Sequence, residues 1–104
     1  MQPHQLQIEG TTQPEVFVGT VDSMVQAIQR DANAFWQDAV ANDGPIEIWT
    51  MNGRRFLYNG NHRFHAAVRA GADIPDFAIV LVDRSGSTIP TFPLSQVDWL
   101  PGFK

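Results

Sequence analysis

The sequence predicts an α+β fold: a small mixed sheet with one long helix and a short second helix. Apolar residues recur at steps of three and four from about Asp22 to Ala41, which is the pattern of an amphipathic helix. Alternating residues on both sides of Asn52-Gly53 predict a β-hairpin, because a type I′ turn requires positive φ at both central residues. The continuous apolar run over residues 77–82 is rich in β-branched residues and predicts a buried strand.

Two shorter elements follow from local signals. The stretch from Glu15 to Val18 predicts a short strand. A second helix is predicted from about His62 to Ala70, because Asn61 is a favoured N-cap residue and Gly71 stands where a helix C-terminal glycine belongs. The chain is therefore expected to form one domain. A polar lead-in at 1–14 precedes a core at 15–83, and an irregular C-terminal extension follows at 84–104.

The composition excludes several classes of protein. A chain of 104 residues has room for one core, and an apolar fraction of 43% is sufficient to build it. The absence of cysteine excludes disulfides, thiolate zinc sites and a cysteine nucleophile. No apolar run approaches the roughly 18 residues of a membrane span, and the N-terminus lacks the pattern of a secretion signal. We therefore expect a soluble domain with no membrane partner.

The charges are unevenly distributed. The formal net charge is −4, yet the window from Ile48 to Ala72 has no acidic residue and holds four of the seven basic ones. A single basic segment on an acidic body suits one anionic group better than a long nucleic acid, which presents many phosphates. The alternative is that these arginines are simply solvated on separate elements.

Candidate chemistry is concentrated where the hairpin leads into the second helix. Asn59 and Gly60 form a turn, and Gly60 allows the backbone to approach a ligand closely. The first turn of a helix has N–H groups without internal partners and a positive potential. Cations at His62 and Arg63 are unfavourable there unless an anion faces them, so the segment predicts a phosphate-sized site.

Helical spacing places His65 and Arg69 on the same face as His62. We predict that His62, Arg63 and His65 are catalytic. The predicted phosphate- or nucleotide-binding residues are Asn59, Gly60, Asn61, His62, Arg63 and Arg69. The alternative is an ordinary capped helix with exposed histidines and arginines.

Several landmarks occur together in the order of a known superfamily. They are Pro45-Ile46, the hairpin, Tyr58-Asn59-Gly60-Asn61-His62-Arg63, Ala66-Ala67, Ala70-Gly71 and Ile74-Pro75. This set, over roughly residues 15–83, resembles the core of the ParB/sulfiredoxin superfamily, in which a Gly-x-x-Arg box precedes a helix. The resemblance implies a ParB/sulfiredoxin-like fold whose box binds nucleotide phosphates, with Gly60, His62 and Arg63 at the matching positions.

Differences from the superfamily pattern exclude some of the activities found in the superfamily. Asn61 stands where sulfiredoxins carry their catalytic cysteine, which excludes sulfinic acid reduction. The chain has no room for the helix-turn-helix region of chromosome-partitioning ParB proteins. Asn59 replaces an Asp that many relatives carry before the glycine.

A compact domain with this core also resembles the C-terminal modules of bacterial polymorphic toxins, which are described as ParB-like nucleases. That resemblance implies phosphodiester hydrolysis of nucleic acid and an immunity protein as partner. It also implies a larger carrier polypeptide that delivers the domain as a secreted effector, with the cytoplasm as the site of action.

The residues leave the reaction open. An ATP- or CTP-dependent phosphotransferase or nucleoside triphosphatase and a non-catalytic binding module are the alternatives to a nuclease. The candidate carboxylates for a general base are Glu15, Asp22 and Glu47, with no basis for choosing among them. No metal site built by the protein is predicted, and any Mg²⁺ is expected to arrive with a bound nucleotide.

Overall fold

The computed structural model describes all residues from Met1 to Lys104 and confirms the α+β class. Three helices pack with a mixed five-stranded sheet, and two further strands pair separately. The strands are β1 (Ile8–Thr11), β2 (Glu15–Phe17), β3 (Ile46–Met51), β4 (Arg54–Asn59), β5 (Ile79–Asp83), β6 (Phe92–Pro93) and β7 (Asp98–Leu100). The helices are α1 (Val18–Arg30), α2 (Ala32–Asp43) and α3 (Asn61–Ala70).

The predicted hairpin forms the centre of the sheet. Strands β3 and β4 pair antiparallel, and Asn52 and Gly53 have φ values of 52° and 78°, as a type I′ turn requires. The sheet order is β5-β3-β4-β1-β6, with β5 parallel to β3 and β1 parallel to β4. Strand β1 lies within the stretch predicted as a polar lead-in, and β6 and β7 lie in the extension predicted to be irregular.

The predicted long helix is wrong, because the chain forms two helices that break at Asp31. This residue is extended (φ −160°, ψ 91°), and its carboxylate accepts a hydrogen bond from the Ala34 N–H at 3.1 Å. Asp31 thus ends α1 and caps α2. The apolar spacing continues across the break because residues from both helices, Val21, Ile28 and Trp36, enter one core.

The predicted burial of the strand at 77–82 is also wrong. Strand β5 is an edge strand that pairs only with β3, so one of its sides lacks a neighbouring strand. Leu81 is 50% exposed as a result. Phe77, which is 51% exposed, lies before β5 in a 3-10 helix, Asp76–Ala78.

The main core lies between the sheet and the helices. Ile46, Ile48 and Leu57 from the hairpin pack there against Trp36 and Phe64. A smaller cluster of Trp49, Met51 and Phe56 packs with Val82. Side chains alternate along a strand, so Trp49 and Met51 face the side opposite Ile46 and Ile48. No helix is both long enough and apolar enough to cross a bilayer.

The cap at Asp31 gives a stability prediction. Asp31→Ala removes the acceptor for the Ala34 N–H and is expected to lower the free energy of unfolding by roughly 0.5–2 kcal/mol. Urea denaturation measures the change. The control is Asp38→Ala, which removes the same charge from an exposed position in α2. Equal losses in the two variants would show that the cap contributes nothing specific.

Candidate functional site

The turn between β4 and α3 requires glycine at position 60. Gly60 has φ 90° and is the N-cap residue of α3. A Cβ at this position would lie 2.8 Å from Ile46 Cγ1 and 3.2 Å from Arg63 Nη2. The glycine therefore lets the first turn of α3 close over the start of β3 with the Arg63 guanidinium directly beside it.

The predicted capping role of Asn61 is wrong, because Asn61 lies inside the helix and its side chain is used elsewhere. It is 2% exposed, and its Oδ1 accepts a hydrogen bond from Thr11 Oγ1 at 2.7 Å. Its Nδ2 donates to the Gln13 carbonyl oxygen at 3.0 Å. Asn61 thus fastens residues 11–13 to α3, and no side chain caps the first turn of that helix.

Arg63 is a buried cation without a carboxylate partner. It is 4% exposed, and its Nη1 donates to the Gly44 carbonyl oxygen at 2.7 Å. The ion pairs of the chain are Arg54–Glu9 and Arg69–Asp22, so Arg63 makes none. Burial lowers the pKa of Arg63, and the negative charge of Asp43 acts in the opposite direction. Buried charges are ordinarily paired, whereas the hydrogen-bond partner of Arg63 is a neutral carbonyl oxygen.

His62 is held in one tautomer. Its Nε2 accepts a hydrogen bond from the Phe17 N–H at 3.1 Å, and its ring stacks on Phe17 with centroids 6.2 Å apart. Burial, together with the charge of Lys104, lowers the pKa of His62. The neutral imidazole therefore carries its proton on Nδ1, where it is a donor rather than a base.

These groups surround an open hollow of about 400 Å³. A second hollow of about 330 Å³ adjoins it, and the two share Gln13, His62 and Lys104. Five predicted site residues line the first hollow, and they are Asn59, Gly60, Asn61, His62 and Arg63. Its other lining residues were not predicted, and they are Gln13, Thr20, Met24, Asp43 and Lys104.

One of the missed residues follows from the hairpin. Residues that precede β3 must lie beside residues that follow β4, because the strands are antiparallel around a two-residue turn. Counting back from Asn52-Gly53 places Asp43 and Gly44 near Gly60. Gln13, Thr20 and Lys104 gave no such local signal, because they reach the hollow through long-range packing.

His65 and Arg69 do not line this hollow. His65 faces a separate cavity of about 530 Å³ and lies edge-on to Trp99, with centroids 5.1 Å apart. Arg69 bonds Asp22 at 2.9 Å and lies 4.5 Å from the Trp99 ring centroid. Both side chains are thus engaged by other parts of the fold, outside the hollow.

The candidate carboxylates are also dispersed. Glu47 accepts a hydrogen bond from the Trp49 indole N–H, and Asp22 pairs with Arg69. Glu15 lines the adjoining hollow, which leaves Asp43 as the one carboxylate in the main hollow. No group of three or more histidine or acidic side chains is placed to hold a metal ion.

Comparison of the chain with protein-family models, curated proteins and solved structures finds no match. The similarity to the ParB/sulfiredoxin superfamily therefore stays a prediction.

The close contact at Gly60 gives a second stability prediction. Gly60→Ala and Gly71→Ala both place Ala at a left-handed position, but only position 60 lacks space for a Cβ. Each variant is expected to lose about 1 kcal/mol from backbone strain, and Gly60→Ala roughly 1–3 kcal/mol more from the clash. Chemical denaturation of both variants measures the difference. Equal losses would mean that the turn at Gly60 is not tightly packed.

His65 gives a pH prediction. Burial, with the charges of His62 and Arg69, lowers its pKa to about 4, while the unfolded chain titrates near 6.5. The unfolded state then binds more protons between these values, so stability is complete above pH 6.5 and declines as the pH falls toward 4. The loss at pH 4 is on the order of 2 kcal/mol, allowing for partial exposure of the ring.

His65→Gln is expected to lessen this decline, whereas His4→Gln, at an exposed position, is not. Thermal unfolding of the three proteins at pH 7 and pH 4.5 measures the effect. An unchanged pH dependence in His65→Gln would contradict the assignment.

Proposed function

We propose that the hollow binds a phosphate ester of a nucleotide or nucleic acid, and that the reaction is phosphodiester hydrolysis of the ParB-like nuclease type. The observation that carries the binding part is the buried Arg63 guanidinium without a protein counter-ion. A phosphate oxygen at this place would accept hydrogen bonds from the guanidinium and from the first-turn amides of α3. It would also supply the missing negative charge.

The neighbouring groups have distinct roles in this proposal. The Nδ1–H of His62 is the hydrogen-bond donor that would stabilise negative charge on the phosphoryl group. Asp43, as the carboxylate of the hollow, would orient an attacking water molecule. A Mg²⁺ ion brought by nucleotide phosphates would find a ligand in Asp43 while keeping most of its water shell.

The toxin setting rests on the sequence resemblance alone. Under it the domain would act in the cytoplasm of a target cell, would be delivered by a larger carrier and would be blocked by an immunity protein. The alternative reactions would break a phosphoanhydride bond of ATP or CTP instead of a phosphodiester bond. A phosphotransferase would pass the phosphoryl group to an acceptor molecule, and a triphosphatase would pass it to water.

One observation favours the non-catalytic alternative. The Nε2 lone pair of His62 is occupied by the Phe17 N–H, so His62 does not offer a base to the ligand. Binding without turnover would use Arg63 and the helix amides in the same way.

Arg63→Met separates a binding role from a structural one. It fills similar volume and removes an uncompensated buried charge, so the free energy of unfolding should stay equal or rise. Binding of phosphate esters should be lost. Thermal shifts with ATP, CTP and a single-stranded oligonucleotide, with and without Mg²⁺, measure binding, and a nuclease assay measures turnover.

Arg54→Met is the matched control, because Arg54 is exposed at the far end of β4, outside the hollow, and its loss should leave binding unchanged. A large loss of stability in Arg63→Met, or wild-type protein that binds none of these probes, would overturn the proposal. Binding without cleavage of any probe would leave the non-catalytic alternative.

A further inference from the structure

We infer that Lys104 is an anion-binding residue of this site, held in place by residues 98–104, here termed the C-terminal strap. The inference rests on the proposed function, since it assigns a further residue to the same hollow. Lys104 lies 41 positions after Arg63, and no local sequence pattern connects it with the Gly60–Arg63 segment.

The strap is fixed to α1 by backbone hydrogen bonds. Strand β7 pairs in parallel with β2, which leads directly into α1. The Gly102 carbonyl oxygen accepts a hydrogen bond from the Gly19 N–H at 2.7 Å, and the Lys104 N–H donates to Thr20 Oγ1 at 2.9 Å. No side chain caps α1, so the strap supplies an acceptor for its first turn.

Gly19 has to be glycine for this contact. A Cβ there would lie 2.5 Å from the Gly102 oxygen and 2.9 Å from Phe103 Cε2. The oxygen cannot retreat without lengthening its hydrogen bond to the Gly19 N–H. The lack of a side chain at position 19 thus sets how closely the strap approaches α1.

The docked strap places Lys104 at the junction of the two hollows. Lys104 makes no ion pair with a protein carboxylate, and its charge acts on His62, which lines both hollows. Lys104 and Arg63 are therefore two cationic side chains in a hollow lined by one acidic side chain, that of Asp43. Two cationic side chains in one hollow suit an oxyanion that offers several acceptor oxygens, such as a phosphomonoester or a pyrophosphate group.

The first measurement is the affinity for inorganic pyrophosphate by calorimetry. Lys104→Gln removes the charge, and Thr20→Val keeps the shape of the side chain but removes the acceptor that holds the strap. Both are expected to weaken binding roughly three- to tenfold. Arg54→Gln is the control, because it removes one exposed cation from the far end of β4.

The second measurement needs no ligand. The pKa of His62, followed by NMR, is expected to rise in Lys104→Gln, because the nearby positive charge is gone. Gly19→Ala keeps Lys104 but displaces the strap, so it should raise the pKa of His62 as well. Circular dichroism confirms that each variant is folded.

The outcomes distinguish this inference from the proposed function. If wild-type protein binds pyrophosphate and both Lys104→Gln and Thr20→Val bind it equally well, the role of Lys104 is overturned and the phosphate site stands. If wild-type protein does not bind pyrophosphate, both the proposed phosphate site and the role of Lys104 are overturned.

Discussion

The candidate site depends on one constraint, which is a charged guanidinium held inside the protein without a carboxylate to neutralise it. Burial of such a charge is costly, and a single carbonyl oxygen compensates for only part of the cost. The surrounding structure keeps the guanidinium buried. The turn at Gly60 lies directly beside it, and the Gly44 carbonyl oxygen, at the end of α2, accepts its hydrogen bond. An apolar side chain would avoid this cost, which is why the charge of Arg63 is the basis of the proposed phosphate site.

The hollow around this cation is assembled from parts that are distant in sequence. Strand β4 and helix α3 contribute the turn, the end of α2 contributes Asp43, and the strap contributes Lys104. Asn61 connects α3 to residues 11–13, of which Gln13 lines the hollow. The neutral His62 lies between the two hollows and is oriented by the backbone that enters α1. The geometry of the site therefore depends on contacts between segments that are far apart in the sequence.

Local signals predicted the local structure well. The turn at Asn52-Gly53 and the glycine at the end of α3 require positive φ, and both lie where the sequence places them. The Gly60–Arg63 cluster was also predicted, because its chemistry is contiguous in the chain. The break at Asp31 was missed because the apolar spacing is the same on both sides of it. A single residue with an extended backbone does not change that spacing. The edge position of β5 and the approach of Lys104 were missed because strand order and terminal packing are decided by tertiary contacts.

The parallel pairing of β2 with β7 has a consequence for the order of events in folding. It joins residues 15–17 to residues 98–100, so closing it requires nearly the whole chain to be ordered or looped between them. During synthesis, β2 and the start of α1 leave the ribosome long before their partners exist. The hollow is then open along the side that the strap later covers, and it acquires its second cation only when translation has passed residue 104. The complete lining of the hollow is therefore assembled late in the newly made chain, after the hairpin and α3 can already have formed.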